Sequence, residues 1–422
     1  MLTAVVGINW GDEGKGRMVD LLSEGYEVIC RYQGGNNAGH TVINDRGKFV
    51  LNLLPSGILR EGTVNVMGNG MVVDLEHLCG EIKSLKEKGI NVTPDTLKVS
   101  DKAFICLPYH KTQDILEEER LGDKKYGSTR RGIAPVYGDK YMKKGIRIGD
   151  LLDPGTLKQR LSDIIEWKNM TFKGYGSGVK LDDMMSWLSE YGAQIKSYIT
   201  DISDYLSASI KAGKNILFEA QLGALRDIDY GIYPYTTSSQ ALAAYAPIGA
   251  GIPGVKLDRV VGIMKAFSSC VGEGPFTVEM SGEEAVALRE AGAEYGAATG
   301  RPRRVGAFDV PASHYGVRVQ GANELALTKL DVLSYLEKIP ICTEYEIDGV
   351  KTACFPSGGA LARARPVYQY MEGFKTDVSK CRKAEDLPDA AIKYIRFIEN
   401  AVNCPIKYVS VGAGRDDYLV LR

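Results

Sequence analysis

The 422-residue sequence lacks the features that mark membrane, secreted and nucleic-acid-binding proteins. No apolar run approaches the roughly 20 residues needed to cross a bilayer, and the first residues lack the basic and apolar regions of a signal peptide. A formal net charge of −1 gives no general attraction for nucleic acid or anionic lipid. The eight cysteines form no CxxC pair, which favours reduced, mostly buried thiols. We therefore expect a cytoplasmic protein that binds neither nucleic acid nor membrane.

Internal repeats and low-complexity segments are also absent from the sequence. No Gly-x-Gly-x-x-Gly fingerprint follows the first apolar run, which disfavours a dinucleotide-dependent dehydrogenase. Apolar runs and amphipathic stretches alternate along the chain, which predicts an α/β fold with a mainly parallel central sheet flanked by helices. We expect residues 1–422 to form a single domain, because α/β folds with elaborated crossovers reach this size.

The predicted elements are spread over the whole sequence. Strands are expected at residues 63–67, 103–107, 215–219, 259–267, 340–347 and 407–411. Helices are expected at residues 76–88, 112–120, 181–212, 285–293 and 389–401. Three glycine-rich stretches lack periodicity and are candidate ligand-ordered lids, since long irregular loops are usually functional or mobile. They are residues 126–147, 240–255 and 296–306.

The glycine-rich loop of residues 10–17, Trp-Gly-Asp-Glu-Gly-Lys-Gly-Arg, is the most informative segment. It lies between the apolar run 2–8 and a helical pattern. This order predicts a phosphate cradle, in which backbone N–H groups and a helix N-terminus face the anion and Lys15 adds charge. It is not a Walker A motif, because Asn9 and Gly16 replace the required Gly and Ser or Thr. Asp12 would repel phosphate, so we expect it to bind a metal ion or accept a substrate proton.

A second glycine-rich loop, residues 33–41, follows a predicted strand at 27–32. One strand–helix–strand crossover takes roughly 30 residues. We therefore predict that both loops emerge at the carboxyl ends of adjacent strands, where open α/β sheets bind ligands. A lone histidine is usually structural, but the position of His40 beside a candidate phosphate site favours a catalytic or ligand-contacting role.

Together, the two loops resemble the amino-terminal signature of the adenylosuccinate synthetases, which join aspartate to IMP at the expense of GTP. Other matching segments occur in the order of the family: 68–74, 100–102, 107–110, 227–235, 265–267, 272–276, 328–331 and 410–412. The resemblance implies a P-loop-like GTP-binding ligase fold with long substrate loops, a Mg²⁺ cofactor and a homodimer. It also implies phosphorylation of the 6-oxygen of IMP before aspartate displaces it.

The resemblance further implies which residues bind each ligand. Asp12 and His40 would be catalytic, and Asp12 and Gly39 would be the protein ligands of Mg²⁺. The implied GTP contacts are Gly11, Asp12, Glu13, Gly14, Lys15, Gly16, Arg17, Gly39, His40, Thr41, Arg303, Lys329, Leu330, Asp331, Ser410, Val411 and Gly412. The implied IMP contacts are Asp12, Glu13, Gly14, Lys15, Asn37, Ala38, Gly39, His40, Thr129, Lys143, Leu222, Thr237 and Arg301. The implied aspartate contacts are Ala297, Ala298, Thr299, Gly300, Arg301, Pro302 and Arg303.

Two of these segments can also be interpreted from their own residues. Three arginines occupy four positions in 301–304, which indicates either a solvated basic turn or bidentate binding of carboxylates, of which aspartate has two. The carboxylate of Asp331 would accept from the ring N–H and the exocyclic amine of guanine, whereas adenine offers acceptor atoms. The tetrapeptide 328–331 also occurs by chance in unrelated sequences.

Departures from the family pattern cluster on the acceptor-nucleotide side. In ungapped alignment, Leu222 takes the position of an IMP-contacting Gln, and Lys143 replaces the Arg that crosses the dimer to the partner's IMP phosphate. Segments 128–135 and 240–245 also differ. Two explanations stay open: drift within the IMP-using family, or a paralogue with a different purine nucleotide acceptor. A non-catalytic GTP-binding regulatory protein is a further alternative, which the presence of Asp12 and His40 disfavours.

Overall fold

The computed structural model describes residues 1–44, 47–296, 300, 302–414 and 416–421. The strands are β1 (Leu2–Gly7), β2 (Val28–Arg31), β3 (His40–Asn44), β4 (Gly47–Leu51), β5 (Val64–Met67), β6 (Val72–Val73), β7 (Leu97–Ser100), β8 (Phe104–Ile105), β9 (Ile199–Thr200), β10 (Ile216–Gly223), β11 (Arg259–Lys265), β12 (Ser268–Cys270), β13 (Arg304–Gly306), β14 (Phe308–Asp309), β15 (Glu324–Thr328), β16 (Lys338–Ile347), β17 (Val350–Thr352), β18 (Arg365–Glu372), β19 (Ile406–Ser410) and β20 (Tyr418–Val420). The helices are α1 (Lys15–Leu22), α2 (Leu75–Glu87), α3 (Pro108–Leu121), α4 (Ile133–Tyr141), α5 (Pro154–Gly174), α6 (Leu181–Ile195), α7 (Ile202–Lys211), α8 (Ala246–Ala250), α9 (Gly282–Ala291), α10 (Val310–Gln320), α11 (Gly358–Arg363) and α12 (Asp389–Val402).

The central layer is a sheet with the strand order β20-β19-β15-β11-β1-β10-β2-β5-β7-β9. Neighbouring strands run parallel except β19 and β20 at one edge, which are antiparallel. Every residue of the central strand β1 is buried, which is typical of a parallel sheet covered on both faces. The prediction of an α/β fold with a mainly parallel central sheet flanked by helices is confirmed.

Helix α1 is held under the sheet by its apolar side chains, and this contact fixes the loop that precedes it. Met18 and Val19 are fully buried and pack in one cluster with Val5 of β1 and Ile29 of β2. Full burial of side chains of this size contributes about 1.5–3 kcal/mol each. The start of α1 is therefore anchored at the carboxyl end of β1.

Smaller sheets lie outside the central layer. Strand β16 pairs with β14, β17 and β18, and β3 pairs with β4 in an antiparallel hairpin. The predicted strand at 340–347 is thus a strand, but it belongs to one of these smaller sheets. The predicted strand at 103–107 is reduced to β8, which pairs with β6.

One prediction about topology is wrong. Strands β1 and β2 are not adjacent, because β10 lies between them and pairs in parallel with both. A right-handed crossover can leave a gap between its two strands that is filled by a strand from elsewhere in the chain. The local sequence of the crossover does not show whether such a strand is present. The two loops still emerge at the same edge of the sheet, one strand position further apart than expected.

Three local predictions are also corrected. The helix expected at 181–212 is interrupted, because α6 ends at Ile195 and the edge strand β9 precedes α7. The stretches 126–147 and 240–255 are not wholly irregular, since they contain α4 and α8.

Among the described residues, none of the helices is both long and apolar enough to span a membrane.

Candidate active site

The phosphate loop leaves β1 and enters α1 through a backbone that favours glycine. Gly11, Asp12 and Gly14 have positive φ angles of 98°, 60° and 96°, a left-handed conformation that glycine adopts without steric cost. Gly14 is the N-cap of α1 and offers no side-chain cap. The backbone N–H groups of the first helical turn are therefore available to an anion.

Glu13 shapes the phosphate loop from inside. Its side chain is buried, and one carboxylate oxygen accepts hydrogen bonds from the backbone N–H groups of Gly11 at 2.8 Å and Asn9 at 3.2 Å. The other oxygen accepts from the Lys15 ammonium at 2.6 Å. Glu13 thus holds both the loop backbone and the lysine expected to face phosphate.

The second loop meets the first at His40. A Cβ atom at Gly16 would come within 2.9 Å of the His40 Cβ, so only glycine allows this contact without a shift. The imidazole of His40 therefore lies against the first turn of α1. The structure brings the two candidate catalytic loops together, as the spacing of the sequence suggested.

His40 faces a buried carboxylate on the inserted strand β10. Its Nε2 atom lies 3.4 Å from an oxygen of Glu219 but has no hydrogen-bond partner among the described residues. Glu219 accepts from the backbone N–H of Ser56 at 2.8 Å and from its hydroxyl at 2.7 Å. Burial lowers the pKa of His40 to about 4, against the opposing attraction of Glu219. His40 is therefore a neutral imidazole at physiological pH, able to donate one N–H.

Asp12 and Arg303 form an ion pair that joins the phosphate loop to residues 301–304, the arginine segment. The two side chains approach to 3.0 Å, and the Asp12 side chain remains 31% exposed. A second guanidinium nitrogen of Arg303 lies 2.8 Å from Glu294. Of the residues assigned to aspartate, Gly300, Pro302 and Arg303 are described by the structure. Ala297, Ala298, Thr299 and Arg301 lie outside the described residues.

Glu294 is a residue that the sequence-based reasoning missed. Its carboxylate is completely buried and accepts from Lys265 at 2.8 and 2.9 Å, from Arg303 at 2.8 Å, and from Lys329. Burial acts to raise its pKa, but these three cations hold the pKa of Glu294 well below its usual range. Burial in turn lowers the pKa of Lys265 to about 8. No local pattern in the sequence signals this glutamate, because Lys265 and Lys329 come from the ends of two separate sheet strands, β11 and β15.

The segment assigned to guanine lies at the end of β15. Lys329 has a positive φ of 62°, and the backbone N–H of Leu330 donates to the carbonyl oxygen of Ser410 at 3.1 Å. One carboxylate oxygen of Asp331 is buried and accepts no hydrogen bond from the described residues. Burial raises the pKa of Asp331, and Lys329 opposes this shift. A buried acceptor of this kind is costly unless a ligand donates to it.

Arg17 connects α1 to the carboxyl-terminal segment 410–414. Its guanidinium donates to the hydroxyl of Ser410 at 3.1 Å and to the carbonyl of Gly412, and it stacks on the ring of Tyr418 with 4.4 Å to the centroid. Val411 is fully buried beside these residues. The structure therefore groups the predicted GTP residues of α1, the 329–331 segment and the 410–412 segment.

The acceptor side contains a bulge in β10 where the sequence departs from the family. The pairing of β1 with β10 shifts between Val5 and Gly7. Within this bulge, Gln221 donates to the carbonyl of Gly35 at 3.1 Å and accepts from the Gly35 N–H at 3.2 Å. Leu222 has a φ of 63° and lies against Gly11. The amide that touches the second loop is thus on Gln221, one position before the residue expected from alignment.

The remaining predicted acceptor contacts occupy separate loops. Asn37 and Ala38 lie in the second loop between β2 and β3. Thr129 is exposed before α4, Lys143 is exposed just after it, and Thr237 is partly exposed. The Lys143 ammonium has neither a hydrogen bond nor an ion pair to another described residue of its own chain. The side chain of Thr41 lies outside the described part of the chain.

The fold and the site together define a nucleotide-binding α/β enzyme, with a glycine-rich phosphate loop, a buried unpaired acceptor at Asp331 and a partly exposed ion pair at Asp12. Comparison with known proteins gives the family. A sequence model of the family described as adenylosuccinate synthetase matches residues 4–419. Adenylosuccinate synthetase of Caldanaerobacter subterraneus subsp. tengcongensis is 46% identical over 424 residues, covering 100% of this chain and 99% of that protein. The enzyme of Streptococcus gordonii is 46% identical over 420 residues, covering 99% and 97%.

Solved structures agree with these relatives. Fully ligated adenylosuccinate synthetase from Plasmodium falciparum superposes with a TM-score of 0.92 at 35% identity, covering 100% of this chain and 99% of that chain. The cyanophage S-2L succinoaminodeoxyadenylate synthetase, at 19% identity and a TM-score of 0.63, shares the fold. The chain belongs to the adenylosuccinate synthetase family. It is a carbon–nitrogen ligase that uses GTP to couple L-aspartate to IMP, and the comparisons do not support a different acceptor or a non-catalytic role.

Proposed function

We propose that Asp12 is the base that activates IMP in this ligase. Oxide leaves C6 of the purine poorly, so the 6-oxygen must first be phosphorylated by GTP and then displaced by the aspartate amine. The oxygen becomes nucleophilic when the N1 proton is removed, which requires a positioned acceptor. The single observation that supports Asp12 is its partly exposed carboxylate on the phosphate loop, 3.0 Å from a guanidinium of the aspartate segment.

In this proposal, His40 and Lys15 stabilise the charge that develops during phosphoryl transfer. His40 is neutral because burial lowers its pKa to about 4, so it acts as a hydrogen-bond donor to the 6-oxygen or the γ-phosphoryl group. Lys15 is held at the start of α1 by Glu13 at 2.6 Å and supplies positive charge. Preorganised donors of this kind are the main source of catalysis in phosphoryl transfer.

The two glycine-rich loops offer ligands for a Mg²⁺ ion that also binds the substrates. Asp12 offers a carboxylate and Gly39 a carbonyl, the oxygen ligands that Mg²⁺ prefers. Among the described residues, no group of three or more His, Cys, Asp or Glu side chains is arranged to hold a metal ion by itself. The ion would therefore take its other ligands from phosphate oxygens and water, and would neutralise phosphate charge when bound.

The substrate requirement tests this function. We expect multiple-turnover formation of GDP only when both L-aspartate and IMP are present, with dIMP, GMP and dGMP as poorer acceptors, whereas IMP without aspartate should give at most one GDP per active site. The measurement is GDP formation by the purified protein with each acceptor in turn. Faster turnover with GMP or dGMP than with IMP would instead support the paralogue explanation. Multiple-turnover GDP formation in the absence of both L-aspartate and IMP would support a regulatory GTPase.

Asp331 is proposed to read the guanine base of GTP. We expect Asp331→Ala to raise the KM for GTP by about tenfold or more, the effect of losing one charged hydrogen bond, with little change in the KM for aspartate. The preference for GTP over ITP, which lacks the 2-amino group, should narrow. Asp153→Ala is the matched control, since this exposed carboxylate caps α5, which packs in a different core cluster from the guanine segment. Unchanged discrimination between GTP and ITP would place guanine recognition elsewhere.

We also propose a cytoplasmic homodimer in which Lys143 completes the partner's site. All eight cysteines are free, and all but Cys354 are buried, which supports a reducing compartment. Lys143 is exposed, has a φ of 62° and follows the end of α4. A two-fold interface presents the same patch twice, so each Lys143 would enter the opposite site.

Lys143→Ala is expected to raise the KM for IMP by about tenfold or more, because one charged contact to the nucleotide phosphate is lost, with little effect on GTP. Lys143→Arg should be tolerated, since a guanidinium can bind phosphate at two points. The decisive measurement mixes Asp12→Asn subunits with Lys143→Ala subunits. If Lys143 acts in trans, each heterodimer has one intact site and activity returns. No recovery, once subunit exchange is demonstrated, would contradict the assignment.

A further inference from the structure

Glu294 lies where three separate parts of the site meet. It follows α9 and precedes the arginine segment, and its carboxylate is buried completely. The cations around it come from the end of β11 (Lys265), the residue after β15 (Lys329) and the arginine segment (Arg303). Because β11 and β15 are neighbours in the sheet, one carboxylate can span all three.

The grip of Glu294 on Arg303 involves the backbone as well as the side chain. The N–H of Arg303 donates to the carbonyl oxygen of Glu294 at 2.9 Å, and the guanidinium donates to its carboxylate at 2.8 Å. These two contacts tie both the backbone and the side chain of Arg303 to Glu294. The free side of the Arg303 guanidinium then reaches Asp12 at 3.0 Å.

Lys329 is held in a comparable way next to the guanine-reading residue Asp331. Its ammonium donates to the carbonyl of Gly292 at 2.6 Å and to the Glu294 carboxylate. The Lys329 side chain remains 31% exposed, whereas that of Lys265 is 3% exposed. Lys265 is thus the buried member of the three cations, whereas Lys329 and Arg303 keep part of their surface exposed.

The ionic cluster around Glu294 has fewer negative charges than positive ones. Glu294 alone faces three cations, and Asp12 is the only other carboxylate that the described residues bring to Arg303. Removing one partner of a buried ion pair is costly because the remaining charge is left uncompensated. A substrate anion that binds Arg303 or Lys329 therefore changes the balance of charge at a carboxylate that both cations share.

We propose that Glu294 is a positioning residue that couples the aspartate loop, through Arg303, to the guanine segment, through Lys329. This proposal rests on the implied roles of Arg303 in binding aspartate and GTP, and of Lys329 in binding GTP. Glu294 does not touch a substrate itself. It holds Arg303 and Lys329 in place, so that binding of aspartate changes the affinity for GTP, and binding of GTP changes the affinity for aspartate.

The test is steady-state kinetics of Glu294→Gln, which keeps the shape of the side chain and removes its charge. We expect the KM values for both GTP and aspartate to rise by about tenfold, a typical size for coupling between two sites, while the KM for IMP changes little. The dependence of the GTP KM on aspartate concentration should weaken in the same variant. Glu324→Gln is the matched control, because Glu324 accepts from Arg259 at 2.9 Å and lies 3.4 Å from Lys407, at the opposite end of the same two strands, β11 and β15.

Three further variants make every outcome informative. Glu294→Asp serves if Glu294→Gln does not fold. It keeps the charge on a shorter side chain, so it should fold and show a partial rise in the KM values for GTP and aspartate. Arg303→Ala and Lys329→Ala test the assignments beneath the proposal: if neither alters its substrate's KM, the proposed function is at fault. If they do, and the Glu294 variants lower only the melting temperature, Glu294 is a purely structural ion pair and the inference is overturned.

Discussion

Asp12→Asn is expected to lower kcat by about 10³-fold or more, within the range lost when a general base is removed, while much of the affinity for GTP is retained. An amide cannot accept the N1 proton of IMP and is a poor ligand for Mg²⁺. The phosphate loop itself should survive, because Glu13 and the backbone around Gly14 hold it independently of Asp12. The measurement is adenylosuccinate formation together with GTP binding by calorimetry.

The matched control for this substitution is Asp348→Asn. Asp348 also forms an ion pair with an arginine, Arg363, at 2.9 Å, but both side chains are well exposed and belong to the segment around β17 and α11. We expect this variant to have wild-type kinetics. Near wild-type turnover in Asp12→Asn would show that another group accepts the proton.

His40→Asn is expected to lower kcat by about 10²-fold, the effect of removing one preorganised donor from a transition state, with much smaller changes in the KM values. The reason is that the His40 imidazole lies against the first turn of α1, where phosphate charge would develop. Steady-state kinetics with saturating GTP, IMP and aspartate would measure the effect. An unchanged kcat would make His40 a structural residue.

The same variant gives a pH test on the ligand-free protein. The pKa of His40 is about 4 in the folded protein, against about 6.5 in an unfolded chain. Between these values the unfolded chain binds a proton that the folded protein excludes, so acidification removes stability. The melting temperature of the wild type should therefore fall more steeply from pH 6.5 to pH 4 than that of His40→Asn. Equal slopes would contradict a buried, neutral His40.

The parts of the site that sequence could predict are those built from neighbouring residues. The phosphate loop was recognisable because a buried strand, glycines and an amphipathic helix follow one another within 22 residues. One crossover predicted that the two loops emerge at the same edge of the sheet, but not that β10 lies between their strands. By contrast, the ionic cluster at Glu294 depends on residues 265, 303 and 329, and their meeting is set by strand order.

The acceptor side shows a second limit of sequence reasoning. Ungapped alignment assigned the IMP contact to Leu222, whereas the bulge in β10 places the amide of Gln221 against the second loop. A bulge changes which side chain faces a ligand without changing the number of residues between motifs. Whether Leu222 contacts IMP stays a prediction, and the structure draws attention to Gln221 beside it.

The position of β10 between β1 and β2 has a consequence for how the chain acquires its site during synthesis. Leu2 pairs with Ile216, and Val28 pairs with the same residue from the other side. A nascent chain that has emerged only as far as α7 contains both loops but not the strand that separates them, nor Glu219, the partner of His40. Such long-range pairing slows folding, because a large loop must close before the contact forms. The strands that carry the two loops therefore acquire their native neighbour only after residue 223 has been synthesised.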